Sequence, residues 1–254
     1  MKLLKKLIAV SSFFAVSAAS FAFDWTTIDA LDKYNQTAAT LSDGLGDFCE
    51  QLAIAVPQAA TQQNVWADAY IGKLFPSVPP HFGGGFNFGL THIDTSGLAK
   101  AAETLNIKGI EDSYYFPVFT LDLRVGGVIL PFDCDVVFMK TGKLGTEIMG
   151  ADLDVDFFTV GFDARYALVE GGLILPKVSV GLGYYYNQGT FNADSSYATA
   201  EINYKVQTLS MSAQLSKSFL LFTPFVGVRG LVSKYDNDWK WVIRNNSAVT
   251  QLAS

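Results

Sequence analysis

The groups best placed to do chemistry are charges set two residues apart. Asp122-Leu123-Arg124 is echoed by Asp163-Ala164-Arg165. Each is followed by paired glycines and an apolar run ending in proline, Gly126-Gly127-Val128-Ile129-Leu130-Pro131 and Gly171-Gly172-Leu173-Ile174-Leu175-Pro176. A third run, Leu220-Leu221-Phe222-Thr223-Pro224, ends alike without the acid-x-Arg part. The simplest account of the echo is that each hairpin meets the same interface and needs the same parts; we prefer it to an internal duplication. In an extended chain a spacing of two places both charges on one face. Asp133, Asp135 and Arg229 fall on that face by the same rule. Two chemistries fit the set, and they are compatible. One is a charged constriction that selects what passes. The other is an ion-pair network tying neighbouring strands together.

Catalysis has less to stand on. His81 follows Pro79-Pro80, and His92 is followed by Ile93-Asp94; these are the only histidines. Acid–base or acyl-transfer chemistry needs a nucleophile or activated water, a base and an orienting group that converge, and the chain offers no such set. Two histidines and two distant cysteines are also too few for a transition-metal site of usual spacing. The expectation is a protein that is not an enzyme and carries no cofactor.

The elements that must position these groups show two regimes. Over residues 23–80, Ile28, Leu31, Leu41, Leu45, Phe48 and Leu52 recur at helical spacing. Pro57 interrupts that pattern, and Pro76, Pro79 and Pro80 close the region in extended chain. This predicts one or two amphipathic helices plus coil, serving as a plug or as a periplasmic extension. From His81 the period becomes two. Phe86 and Phe88 alternate with Asn87 and Gly89; Phe119, Leu121, Leu123 and Val125 with Thr120, Asp122 and Arg124; Phe132, Val136 and Phe138 with Asp133 and Asp135. Later runs behave alike around Phe158–Leu168, Val178–Tyr186, Leu209–Leu215 and Val226–Val232. About seven strands result, each able to supply the ~9–11 residues that cross a bilayer at a tilt. The fold class expected over residues 81–254 is therefore all-β, an antiparallel transmembrane β-barrel portion of seven or eight strands.

Residues 1–22 read as a cleaved secretory signal: Lys2, Lys5 and Lys6, then an apolar stretch from Leu7 to Val16, then Ser20-Phe21-Ala22. Its removal takes three of 18 basic residues and no acid, leaving 15 against 24 acidic residues, a net charge of −9. Such a balance argues against nucleic acid as a partner, which selects basic patches. No later apolar run is long enough for a membrane helix.

A soluble β-sandwich would also alternate. Three features favour the membrane. The non-apolar face carries mostly Gly, Ser, Thr and Asn where a sandwich would carry Lys and Glu. Tyr114-Tyr115-Phe116 and Tyr184-Tyr185-Tyr186 sit where strand ends are expected, at headgroup level. Connection lengths alternate: long at 95–114, 141–150, 187–202 and after 234, short near Gly126-Gly127, Glu170-Gly171-Gly172 and Ser216-Lys217-Ser218. Long outer and short inner connections are the outer-membrane pattern. Of the long connections, 95–110 reads as helical with Ser96 as cap, either a surface helix or a lid, while Trp239 and Trp241 begin a further strand or an ordered loop.

Cys49 and Cys134 are the only cysteines. Export permits a disulfide between them. Alternation, however, puts Cys134 with Phe132 and Val136 on the apolar face, which favours two reduced thiols.

A non-barrel N-terminal segment followed by amphipathic hairpins resembles the FadL-type long-chain fatty-acid transporters of the outer membrane. Trp66-Ala67-Asp68-Ala69-Tyr70-Ile71-Gly72-Lys73, with Pro79-Pro80-His81-Phe82 before the first strand, also looks like spirochaete barrel proteins. The resemblance implies a plugged barrel of fourteen strands passing hydrophobic substrates through a lateral opening. The chain departs from it at the C-terminus, where Ser247–Ser254 lacks the closing aromatic strand. The expectation is thus the N-terminal portion of a larger barrel, with a closed eight-stranded barrel as the contrary outcome. The function expected is an outer-membrane channel or transporter for small compounds, hydrophobic ones among them, with lipid as partner and no stated oligomeric state. A non-transporting structural or adhesive surface protein is the alternative, and a soluble secreted β protein is the third.

Overall fold

The period-two runs become strands of one antiparallel sheet in the computed structural model, which describes residues 28–62, 67–76, 78–97, 99–100, 112–140, 144–148, 151–195, 198–245 and 248–253, some for their backbone alone. The expected signal peptide and residues 101–111 of the helical connection lie outside the described residues. The strands are β1 (Phe82–Asp94), β2 (Ser113–Gly126), β3 (Phe132–Lys140), β4 (Leu144–Ile148), β5 (Ala151–Glu170), β6 (Lys177–Ser195), β7 (Ala198–Ser216), β8 (Phe225–Asn245) and β9 (Ala248–Ala253). Their order is β1-β2-β3-β5-β6-β7-β8-β9, with β4 pairing the first residues of β5. Each strand is joined to a neighbour in sequence, so seven long strands form an up-and-down meander. Pro131, Pro176 and Pro224 each stand immediately before the first residue of β3, β6 and β8, where the missing N–H costs no internal ladder bond.

Register carries the alternation across the sheet. One row runs Leu123↔Val136↔Phe162↔Tyr184↔Leu209↔Val232, and the row beside it on the other face runs Arg124↔Asp135↔Asp163↔Gly183↔Ser210↔Leu231. A one-residue slip would exchange these two rows, so the pattern pins the pairing.

A single helix, α1 (Ile28–Gln62), packs on the charged face. It touches β1 at one side of the sheet and β6, β7 and β8 at the other, so the sheet curls around it as a half-barrel. Leu45, Phe48, Cys49, Leu52 and Ala55 form its buried stripe. The helix continues through Pro57, where the sequence pattern suggested a break. Packing of this stripe outweighs the one hydrogen bond lost, and the Thr61 hydroxyl donates to the Pro57 carbonyl at 2.9 Å.

Three boundaries differ from the expected ones. Residues 187–203 are mostly strand, because β6 runs on to Ser195 and β7 starts at Ala198. The chain after 234 continues β8, so Trp239 and Trp241 lie inside that strand instead of opening a new element. In both places the alternation changes face: Ile202, Tyr204, Val206 and Trp239 are buried on the concave side while Lys205, Gln207, Lys234 and Asp236 point outward, so a search for outward apolar residues misses the strand. The Tyr184-Tyr185-Tyr186 run is consequently mid-strand. Tyr185 is buried over Gly161, where any Cβ would run into its ring.

Cys49 and Cys134 are both free, so the possible disulfide is not formed. Cys134 pairs with Val125 and Ala164 in a convex-face row, whereas Cys49 lies in the buried stripe of α1 on the concave side; the sheet stands between them. Burial pushes the Cys49 thiol up to about 11, the Asn237 side chain opposing this in part. Two units above the ordinary value of 9.0 leave about a hundredfold less thiolate near neutral pH. Maleimide should therefore label Cys49 in the folded protein about two orders of magnitude more slowly than a free thiol at pH 8. The rate should climb with pH toward 11. Rapid labelling at pH 8 would show that this face of α1 is not packed against the sheet.

Candidate functional site

The sheet sorts side chains by face with few exceptions. On the convex face more than twenty large apolar side chains of the seven long strands are exposed, Phe86 at 65%, Leu182 at 60% and Val228 at 73%. Leaving one such side chain in water forgoes about 1.5–3 kcal/mol, so twenty would outweigh the ~5–15 kcal/mol stability of a typical domain.

The concave face carries the charges, and the chain between α1 and β1 covers them. Residues 67–74 form a strap across one end of the half-barrel, the end of the short turns. Beside β7, Ala69 N–H donates to Ser216 Oγ at 2.8 Å and Gln214 Nε2 donates to the Ala67 carbonyl at 3.3 Å. Asp68 accepts from Lys177 Nζ at 2.9 Å and from Ser218 Oγ at 3.2 Å. Beyond it, Leu74 N–H donates to the Gly127 carbonyl at 2.9 Å. Gly126 allows this crossing: a Cβ there would run into the Gly72 carbonyl oxygen. Tyr70 of the strap is buried, and burial, then Glu170 and Asp133, push its phenol up to about 12.

Arg124 is the centre of the arrangement. It is wholly buried and grips Asp133 with two parallel bonds, Nε to Oδ1 at 2.9 Å and Nη2 to Oδ2 at 2.8 Å. It also donates to two strap carbonyls, Asp68 O at 2.9 Å and Ala69 O at 3.3 Å. Asp133 in turn accepts from Ile71 N–H at 3.2 Å. The planar fork of arginine suits this double duty, which lysine could not perform. Next to it, Arg165 Nε donates to Asp163 Oδ1 at 2.9 Å and its Nη2 lies 3.7 Å from Asp135 Oδ2. Asp122 accepts from the Asn87 amide of β1. Six of the seven charged residues singled out from the sequence thus lie on three adjacent strands, and four carboxylates face two guanidinium groups there.

Arg229 does not join them. It shares the concave face but donates to the Thr61 carbonyl in the last turn of α1, where a cation complements the helix C-terminus. Between this contact and β7–β8 lies a cleft of about 400 Å³ bordered by Gln58, Ser212, Gln214 and Gly227. His81 Nδ1 donates to the Lys73 carbonyl at 3.0 Å, and His92 packs edge-on against Tyr115; they are at opposite ends of β1. At the far end, Asp94 accepts from Ser96 N–H at 2.8 Å, so the cap expected from Ser96 is supplied by Asp94. No group of three or more metal-ligating side chains occurs among the described residues.

The strap and its anchors, Asp68, Ser216, Lys177 and Ser218, escaped sequence reasoning. Ala67–Leu74 has no periodicity, and its partners are up to 150 residues away. No protein-family model matches the chain, and no curated protein or solved structure matches it either.

Proposed function

We propose that the curled sheet is part of the lipid-facing wall of an outer-membrane channel or transporter for small compounds, hydrophobic ones among them. The convex face carries this reading: it is apolar across all seven long strands, has no covering layer among the described residues and is backed by a polar, charged interior. Only a solvent as apolar as itself would tolerate it, and a barrel-type sheet satisfies its backbone groups within such a solvent. Above this band the convex face turns charged at Lys205, Lys234 and Asp236, as expected where lipid gives way to water. In this reading α1 and the strap are the plug, and the Arg124 cluster is its latch.

A second reading, a non-transporting surface protein, is favoured by one observation: α1 and the strap occupy the concave face. Conductance separates the two. Protein extracted from outer membranes and added to planar bilayers should show discrete steps, and a silent bilayer would favour the structural role. Failure to partition with membranes at all would overturn both.

A further inference from the structure

The short turns at the strap end are unusual in what they expose. Ile129 and Leu130, Leu173 and Ile174, and Leu220 and Leu221 form three apolar tips side by side, Leu173 at 102% and Leu220 at 98% exposure. A turn in water would carry Gly, Asn, Asp or Ser at such positions. These tips are also built as one piece. Lys217 Nζ, in the third turn, donates to the Gly172, Leu173 and Leu175 carbonyls of the second at 2.6, 2.8 and 3.1 Å. The first is tied to β5 by Ala167 N–H donating to the Pro131 carbonyl at 2.7 Å. Within the turns, Gly127 N–H bonds Phe132 O, Gly172 N–H bonds Leu175 O and Phe219 N–H bonds Phe222 O. Turns bathed in water have no need of a lysine to satisfy three carbonyls; turns in a medium without water do.

Band height leads to the same place. On β6 the convex apolar positions run from Val178 to Tyr186, after which Gln188 follows. Eight steps of about 3.3 Å at a tilt of about 40° span roughly 20 Å along the membrane normal. On β7 the run from Leu215 to Leu209 gives only about 15 Å by the same geometry. The apolar band of an outer-membrane sheet is about 25 Å tall. On β5 the run from Phe158 to Leu168 reaches about 25 Å, but β6 and β7 alone fall short, and the charged residues above them close off that direction.

We infer that the three turn tips are themselves immersed in the bilayer, in contact with acyl chains, so that the inner boundary of the hydrocarbon lies beyond the turns. This rests on the lipid-facing reading of the convex face and adds to it where the sheet sits and what its turns touch. Lys217 is then a carbonyl clamp at the base of a lipid-immersed platform.

The test uses the full chain in vesicles containing brominated phospholipid, with Cys49 and Cys134 replaced by alanine and one cysteine introduced for an environment-sensitive fluorophore. Ile174→Cys and Leu221→Cys probe the tips, Leu182→Cys the convex face and Lys234→Cys the charged margin. The expected result is strong quenching at 174, 221 and 182 and weak quenching at 234. Quenching at 182 with none at 174 and 221 would overturn the inference and leave the lipid-facing wall intact. No quenching at any site would overturn the wall as well. Leu173→Glu with Leu221→Glu supplies a second measure, since both side chains are solvent-exposed in the isolated fold and the change disturbs no packing. The double variant should bind vesicles at least tenfold more weakly than the parent, and unchanged binding would overturn the inference.

Discussion

Arg124→Ala is expected to lower the unfolding free energy by about 3–5 kcal/mol, the range for removing one partner of a buried ion pair. The variant strands the Asp133 carboxylate, which is 0% exposed, with only Ile71 N–H as donor. It also strips the donors from the Asp68 and Ala69 carbonyls, so the strap loses its hold on β2. The shift should appear in the urea midpoint of tryptophan fluorescence in detergent, for which the buried Trp239 is a reporter on the same face. Trypsin should cut after Lys73 faster than in the parent. Replacing both Arg124 and Asp133 by leucine should recover much of the loss, because no uncompensated charge stays buried. An Arg124→Ala midpoint matching the parent would show that the latch is solvated and contributes little.

Gly126→Val is the second large effect, and it works by shape alone. Its side chain would claim the space of the Gly72 carbonyl, a backbone atom that cannot rotate aside, while the Arg124–Asp133 pair is untouched. The strap must lift from β2 and give up the bond from Leu74 to Gly127. Overpacking of this kind costs about 1–3 kcal/mol, small enough for the sheet to persist. If the strap plugs a passage, channel conductance in planar bilayers should rise severalfold and cleavage after Lys73 should accelerate. A variant with parental fluorescence, parental conductance and a protected Lys73 would show that the strap neither blocks nor moves.

Much of this was legible in the residues themselves, for a definite reason. Where one face of a strand is apolar and the other is not, as at Phe119–Val125 or Phe158–Leu168, alternation reports both the strand and its orientation. It also put Asp122, Arg124, Asp133, Asp135, Asp163 and Arg165 on one face, and the register brings them together. Alternation misleads where its faces are exchanged: in the far halves of β7 and β8 the apolar residues Ile202, Tyr204, Val206 and Trp239 turn inward, so those stretches lack the outward apolar row and read as connections. It has nothing to say about the strap, whose order comes from Arg124, Ser216 and Lys177 rather than from a pattern of its own. Pro57 misleads for the opposite reason: a strong local signal is overruled by the packing of Leu45, Phe48 and Leu52. The echoed apolar turns were visible as a repeat, but their exposure was not, since composition cannot tell a buried leucine from a solvent-facing one.

The strap has a consequence for the order of folding. Every pairing in the sheet joins strands close in sequence, which nucleates quickly and can proceed hairpin by hairpin. Ala69, by contrast, meets Ser216 across 147 residues, a contact that must wait for the last turn of β7 and for the entropy of a long loop to be overcome. Until then Ala69 lacks its anchor on β7. The two sides of the strap thus differ in reach: its contacts to Arg124 close loops of 56 and 55 residues, and its contact to Ser216 one of 147.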